Sequence, residues 1–76
     1  MEETVMNVLA EAIGTEADQL DADLELFEEE LLDSFGVISL LVGIEDALGI
    51  RIEPTEVTRE EISTPAKLIA CVKARA

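Results

Sequence analysis

The feature that most constrains this chain is a strongly apolar segment between Asp33 and Gly49. It holds more large aliphatic and aromatic side chains than a surface helix with one buried stripe can cover. Asp33 stands where an N-cap belongs and Gly49 where glycine ends a helix, which predicts a helix of about 14 residues. One face of this helix is expected to form core, and another face is free to meet a partner.

A first helix is predicted upstream of this segment. Apolar residues recur there at helical spacing, namely Val5, Val8, Leu9, Ala12 and Ile13. Gly14 follows them and supplies the left-handed residue that ends the helix. Residues 15–23 are polar and aperiodic, so we predict a loop, which Leu24, Leu26 and Phe27 fold back onto the core.

A last helix is predicted from Thr64 and Pro65, a capping residue followed by proline at the first helical position. Between Gly49 and Thr64, residues 50–52 are extended and residues 54–62 have room for only a short helical turn or two. Residues 1–76 are therefore predicted to form a single domain. Its fold class is all-α, a small antiparallel four-helix bundle with three long helices and one short.

A chain of 76 residues with no histidine and one cysteine excludes several classes of protein. It buries only about 60% of its unfolded surface, which leaves no room for a deep catalytic cleft. Without histidine there is no imidazole base and no Cys/His zinc site, and a lone cysteine forms no internal disulfide. The start of the sequence has no signal-peptide pattern and no apolar run spans a membrane, so we expect a cytoplasmic protein.

The charge of the chain is divided between its two parts. Residues 1–50 hold 14 acids and no lysine or arginine, whereas residues 51–76 hold four acids and all five bases. Such a field repels nucleic acid and anionic lipid and favours basic protein partners. The same acids are also typical of a solvated face that keeps a small protein soluble, so charge alone assigns no function.

The dipeptide Asp33-Ser34 has two interpretations. Both residues are favoured at helix N-termini, and a structural cap accounts for them. Alternatively, Ser34 is a site of covalent modification, because a phosphodiester attached there would meet free backbone N–H groups and the positive end of the helix dipole. A serine that acts as a nucleophile on its own is not expected, since the chain has no histidine and no lysine close to Ser34 in sequence.

Four motifs in a fixed order resemble the acyl and peptidyl carrier proteins. They are Leu-x-Leu-Phe at 24–27, Leu-Asp-Ser-Phe at 32–35, Gly-Ile-x-Ile-x-Pro at 49–54 and Thr-Pro at 64–65. Within that superfamily, residues 52–61 and Thr-Pro-x-Lys-Leu-Ile at 64–69 look most like the D-alanyl carrier proteins of teichoic acid D-alanylation. The resemblance covers about residues 24–76.

The resemblance implies that Ser34 carries covalent 4'-phosphopantetheine, with Asp33 as helix cap and recognition residue. It implies a non-catalytic, monomeric carrier that is a substrate of a phosphopantetheinyl transferase and of an adenylating amino acid ligase. A downstream acyltransferase, which can be membrane-embedded, would accept the aminoacyl group. A standalone peptidyl or polyketide carrier is the alternative within this class, and an unmodified acidic interaction module is the alternative from another class.

The chain departs from the family at two places. Carrier proteins usually have a glycine three or four residues before the modified serine, where this chain has Leu31 and Glu30. D-alanyl carriers often show an aromatic residue just before the Thr-Pro pair, where this chain has Ile62. The first departure concerns the loop before Ser34, and the second concerns the identity of the cargo.

The central helix is expected to present a docking face beside Ser34. Helical geometry places Phe35, Ile38 and Val42 on one side, with Asp33, Glu45 and Asp46 at the rim. Another side is the predicted core face, formed by Val37, Leu41, Ile44 and Leu48. The alternative for the first set is that some of it, Ile38 above all, packs under the loop of residues 24–32.

Two weaker motifs carry no site. Asp21-x-Asp23-x-Glu25 begins like a calcium loop, but it lacks the glycine and the final glutamate that such loops need, so no metal site is predicted. Cys71 lies on the amphipathic last helix and is predicted to be a small buried hydrophobe.

We expect the melting temperature to rise with ionic strength, because the acids of residues 1–50 repel one another and salt screens that repulsion. The measurement is thermal unfolding from low salt to physiological salt, where the Debye length is about 8 Å. A melting temperature that stays flat over this range would contradict the prediction.

Overall fold

The computed structural model describes residues 2–75 and contains three α-helices. They are α1 (Glu2–Ile13), α2 (Ser34–Leu48) and α3 (Pro65–Arg75). Single 3-10 turns lie at Ala17–Gln19, Pro54–Glu56 and Glu60–Ile62, and residues 2–75 contain no strand. The predicted all-α bundle is confirmed, and none of the described helices is long and apolar enough to cross a membrane.

Residues 54–62, which were predicted to hold a short helical turn or two, form two separate 3-10 turns. Glu53 and Glu56 form a reciprocal capping box around the first turn. Thr58 and Glu61 repeat the arrangement, since the Thr58 N–H donates to Glu61 Oε1 (3.0 Å) and the Glu61 N–H donates to Thr58 Oγ1 (3.3 Å). Val57 is extended between them, so each pair starts its own turn and the segment does not form one helix.

The bounds of α2 follow from its two terminal residues. Asp33 has extended backbone angles and accepts a hydrogen bond from the Gly36 N–H through its side chain, so it is the N-cap. Gly49 has φ +70°, and its N–H donates to the carbonyl of Glu45. This left-handed position suits glycine and ends the helix where the sequence predicted.

The core lies between the three helices and the long loop that joins α1 to α2. α1 packs against both α2 and α3. The loop is held to the start of α3 by backbone bonds from Leu26 N–H to the Ser63 carbonyl (2.8 Å) and from Ala66 N–H to the Ala22 carbonyl (3.1 Å). Its side chains Leu20, Leu26 and Leu32 are buried. The predicted return of this loop onto the core is therefore observed.

The buried face of α2 differs in part from the predicted one. Leu41 and Ile44 are buried as expected, but Val37 and Leu48 are only partly buried. Leu40, which was not assigned to the core face, is completely buried. The difference arises because neighbouring elements cover a wider arc at the middle of α2 than at its ends.

Cys71 is buried in α3, as its predicted role as a small hydrophobe requires. Burial raises the pKa of its thiol, because the thiolate would lose solvation. The thiol is therefore shielded from reagents that need a thiolate.

Glu30 adopts φ +57°, the left-handed conformation that favours glycine. It lies four residues before Ser34, which is one of the two positions where the carrier proteins that this chain resembles usually have a glycine. The conformation is held by the backbone bonds from Glu30 N–H to the Phe27 carbonyl (3.1 Å) and from Leu31 N–H to the Leu26 carbonyl (2.9 Å). The loop thus keeps a glycine-like conformation without the glycine.

We predict that Glu30→Gly stabilises the protein by about 0.5 to 1 kcal/mol, because glycine adopts this conformation without a Cβ clash. Glu29→Gly is the matched control. It removes the same charge from the neighbouring position, which has no positive φ, and is expected to destabilise by a similar amount. Urea unfolding of both variants measures the difference, and equal midpoints would contradict strain at Glu30.

Candidate functional site

Ser34 is the first residue of α2, and its side chain is exposed. The Asp33 carboxylate accepts a hydrogen bond from the Gly36 N–H at 2.7 Å, and the Val37 N–H donates to the Asp33 carbonyl at 2.9 Å. The N–H groups of Ser34 and Phe35 belong to the first turn, where no helical carbonyl is available to them. The serine hydroxyl therefore lies at the positive end of a well-capped helix.

Gly36 allows the preceding loop to approach this first turn closely. A Cβ at Gly36 would come within 2.9 Å of Leu32 Cδ1 and 3.4 Å of Asp33 Oδ1. Leu32 is buried at this junction and anchors the residues before Ser34. Sequence reasoning missed this contribution, although a glycine in the first turn of an otherwise apolar helix is the signal that indicates it.

A cleft of about 220 Å³ opens beside Ser34. It lies between the first turns of α2 and the segment that carries the two 3-10 turns. Its lining residues are Phe27, Ser34, Val37, Ile38, Pro54, Val57, Thr58, Arg59 and Ile62. The guanidinium of Arg59 lies over the ring of Phe27, 5.2 Å from its centroid. No pattern in the sequence predicts this cleft, because three separate segments of the chain form it.

The surroundings of Ser34 suit an acceptor of a covalent group. The chain has no histidine, and residues 2–75 contain no group of acids and cysteines arranged to hold a metal ion. The site therefore offers no imidazole base to Ser34. What the site offers is an exposed hydroxyl, free backbone N–H groups and an adjoining cleft.

The predicted docking residues lie together on one exposed face of α2. Phe35 is 83% exposed, Ile38 is 51% exposed and Val42 is 54% exposed. Few large apolar side chains of the described chain are this accessible, and the face begins one residue after Ser34. Exposed apolar side chains grouped in this way form a candidate surface for a partner.

Of the three predicted rim acids, Asp33 caps the start of α2, and Glu45 and Asp46 lie on opposite sides of this face. Glu45 lines a cleft together with Ile38 and Arg51. Asp46 lines a different cleft, next to α1, together with Glu11. Arg51 pairs with Glu53 at 2.7 Å, and this hydrogen bond raises the pKa of the guanidinium. The apolar face is thus flanked by acids, one of them beside an ion pair.

Comparison with known proteins gives a consistent result. The family model described as the phosphopantetheine attachment site matches residues 3–72. The D-alanyl carrier protein of Abiotrophia defectiva is 45% identical over 75 residues, covering 99% of this chain and 95% of that protein. The D-alanyl carrier protein of Enterococcus faecalis is 42% identical over 74 residues, covering 97% and 95%. That of Bacillus velezensis is 46% identical over 65 residues, covering 86% and 83%.

A solved structure agrees with the fold. The solution NMR structure of a holo acyl carrier protein from Nitrosomonas europaea superposes with a TM-score of 0.76 at 22% identity. The match covers 96% of this chain and 92% of that one.

These findings confirm the predicted carrier class. The cofactor of that class is covalent 4'-phosphopantetheine, and the protein is a carrier without catalytic activity of its own. The family match along most of the sequence, together with relatives above 40% identity over most of its length, leads to one assignment. The chain belongs to the phosphopantetheine attachment-site family, among the D-alanyl carrier proteins.

Proposed function

We propose that Ser34 is the attachment residue for 4'-phosphopantetheine and that the cargo is D-alanine, held as a thioester for teichoic acid D-alanylation. The observation that carries the proposal is the position of Ser34, an exposed hydroxyl at the capped N-terminus of α2 beside an open cleft. The relatives named D-alanyl carrier protein support D-alanine as the cargo.

The residues around Ser34 fit the phosphate end of the cofactor. The N–H groups of the first turn of α2 and the helix dipole favour a negative charge on the serine oxygen. The Asp33 carboxylate accepts a hydrogen bond from the Gly36 N–H, which fixes the start of the helix at which Ser34 lies. When bound, the cofactor supplies the thiol that holds the aminoacyl group.

The apolar face of Phe35, Ile38 and Val42 is proposed as the surface that successive partners share. These partners are a phosphopantetheinyl transferase, an adenylating amino acid ligase and a downstream acyltransferase that can be membrane-embedded. A shared surface next to Ser34 is required because each partner has to reach the same oxygen or the thiol attached to it. Glu45 and Asp46 would attract basic residues at the margins of these partners.

The large negative charge supports partners that are basic proteins rather than nucleic acid. We further propose that residues 1–76 act as one monomeric carrier domain in the cytoplasm, where coenzyme A and ATP are available to the loading enzymes. The three helices of this domain share one core.

We expect the wild-type protein to gain the mass of one phosphopantetheine when incubated with coenzyme A, magnesium and a promiscuous phosphopantetheinyl transferase. Ser34→Ala is expected to gain nothing, because it lacks the acceptor oxygen. Ser39→Ala, a variant at another exposed serine of α2, is the matched control and is expected to be modified like the wild type. Intact mass spectrometry measures all three.

A folded wild-type protein that gains no mass would overturn the carrier proposal and favour an unmodified interaction module. Modification of Ser34→Ala would show that another residue is the acceptor. The identity of the cargo is then tested by incubating the modified protein with ATP and the D-alanine-activating ligase of a relative. Loading of D-alanine in preference to L-alanine is the expected result, and selective loading of another amino acid would favour the peptidyl-carrier alternative.

We predict that Phe35→Ala and Val42→Ala each lower kcat/KM for loading by the ligase by about tenfold, since truncating a central apolar contact costs on the order of 1 to 2 kcal/mol of binding. Both side chains are exposed, so their removal changes stability by less than about 0.5 kcal/mol. Leu31→Ala, which truncates an exposed apolar side chain outside α2, is the control and should load normally. Unchanged loading of both α2 variants would exclude this face as the docking surface.

A further inference from the structure

Arg59 is the single basic residue that lines the cleft beside Ser34. It lies in the segment that packs opposite the first turns of α2, at the start of the turn Glu60–Ile62. Its guanidinium lies over the ring of Phe27, which belongs to the loop before α2. Stacking on an aromatic ring restricts the side chain to the neighbourhood of that cleft.

The donors of Arg59 have no protein partner among the hydrogen bonds and ion pairs of residues 2–75. Three of the other bases are engaged: Arg51 pairs with Glu53, Lys73 pairs with Glu2 and Arg75 donates to the Glu56 carbonyl. A guanidinium presents five N–H donors, and an arginine in a chain with 18 acids would ordinarily be expected to find a carboxylate.

The nearby acid Glu61 is occupied elsewhere. Its carboxylate accepts the N–H of Thr58 at 3.0 Å, as half of the reciprocal cap described above. The Glu61 carboxylate is thus hydrogen-bonded to the backbone of Thr58 and not paired with Arg59, so the guanidinium is available to an anion in the cleft. An anion held in the cleft would meet a planar cation with unused donors.

We propose that Arg59 binds the phosphodiester attached at Ser34 and thereby positions the first part of the cofactor in this cleft. The inference rests on the proposed attachment at Ser34. A phosphodiester carries one negative charge, and placing it on a chain of net charge -13 adds to an existing repulsion. Arg59 offsets that repulsion at the attachment point, and the N–H groups of α2 offset it from the opposite side.

Arg59 is accordingly a positioning residue, and its effect is measured as a coupling between the side chain and the cofactor. The experiment compares urea unfolding of the unmodified and modified forms of the wild type, Arg59→Gln and Lys67→Gln. Lys67 is the matched control, because its side chain also makes no ion pair or hydrogen bond within residues 2–75 and it does not line this cleft. Both substitutions remove one positive charge.

Arg59→Gln is expected to raise the unfolding equilibrium constant in both forms, and the quantity compared is the ratio of the increase in the modified form to the increase in the unmodified form. We expect this ratio to be about two to five, the range of an exposed ion pair. For Lys67→Gln this ratio should be near one. Arg59→Lys should recover part of the coupling, since it keeps the charge but loses the planar fork. In phosphorus NMR, the phosphodiester resonance should shift in Arg59→Gln and not in Lys67→Gln.

Equal coupling for Arg59→Gln and Lys67→Gln, with no selective phosphorus shift, would overturn the role of Arg59 and leave attachment at Ser34 intact. The mass spectrum of each sample is recorded first, so the two proposals are tested separately. A wild-type protein that gains no phosphopantetheine would overturn both.

Discussion

The hydrogen bond from the Gly36 N–H to the Asp33 carboxylate is the interaction on which the functional end of the molecule depends. It determines where α2 begins, and that start determines where Ser34 lies. Gly36 has no Cβ, so Leu32 can be buried directly against the same first turn. One short segment therefore anchors the loop, starts the helix and exposes the serine.

The other side of α2 explains why an apolar surface can remain exposed. Leu40, Leu41 and Ile44 face the core, and the close approach of Gly43 to Val8 brings α1 against the same helix. A domain of this size has only one core, and α2 has more apolar side chains than that core accommodates. Phe35, Ile38 and Val42 are the large apolar side chains of α2 that stay exposed, and they lie on the same helix as Ser34. Their exposure therefore follows from the geometry of α2, which has apolar side chains both on its core face and on its solvent-exposed face.

The sequence predicted the features that depend on local chemistry, and the structure added those that depend on distant segments. The ends of α2 follow from Asp33 and Gly49, so they were accessible to sequence reasoning. Burial of Leu40 and the division of residues 54–62 into two turns depend on which elements pack together and on paired caps. The pairing of Arg59 with Phe27 joins residues that are 32 positions apart and have no shared pattern, so only the fold brings them together.

A carrier that visits several enzymes needs fast association and fast release, and the surface of this chain suits both requirements. The long-range field of the acids accelerates encounters with basic partners without adding much affinity at physiological salt. If the small apolar face of α2 is the docking surface, as proposed above, the contact that it forms buries little area and dissociates readily. If the face were larger, or if its acids formed buried ion pairs with one partner, release would become slow. The combination of a strong field with a small apolar patch therefore favours exchange between partners over a stable complex.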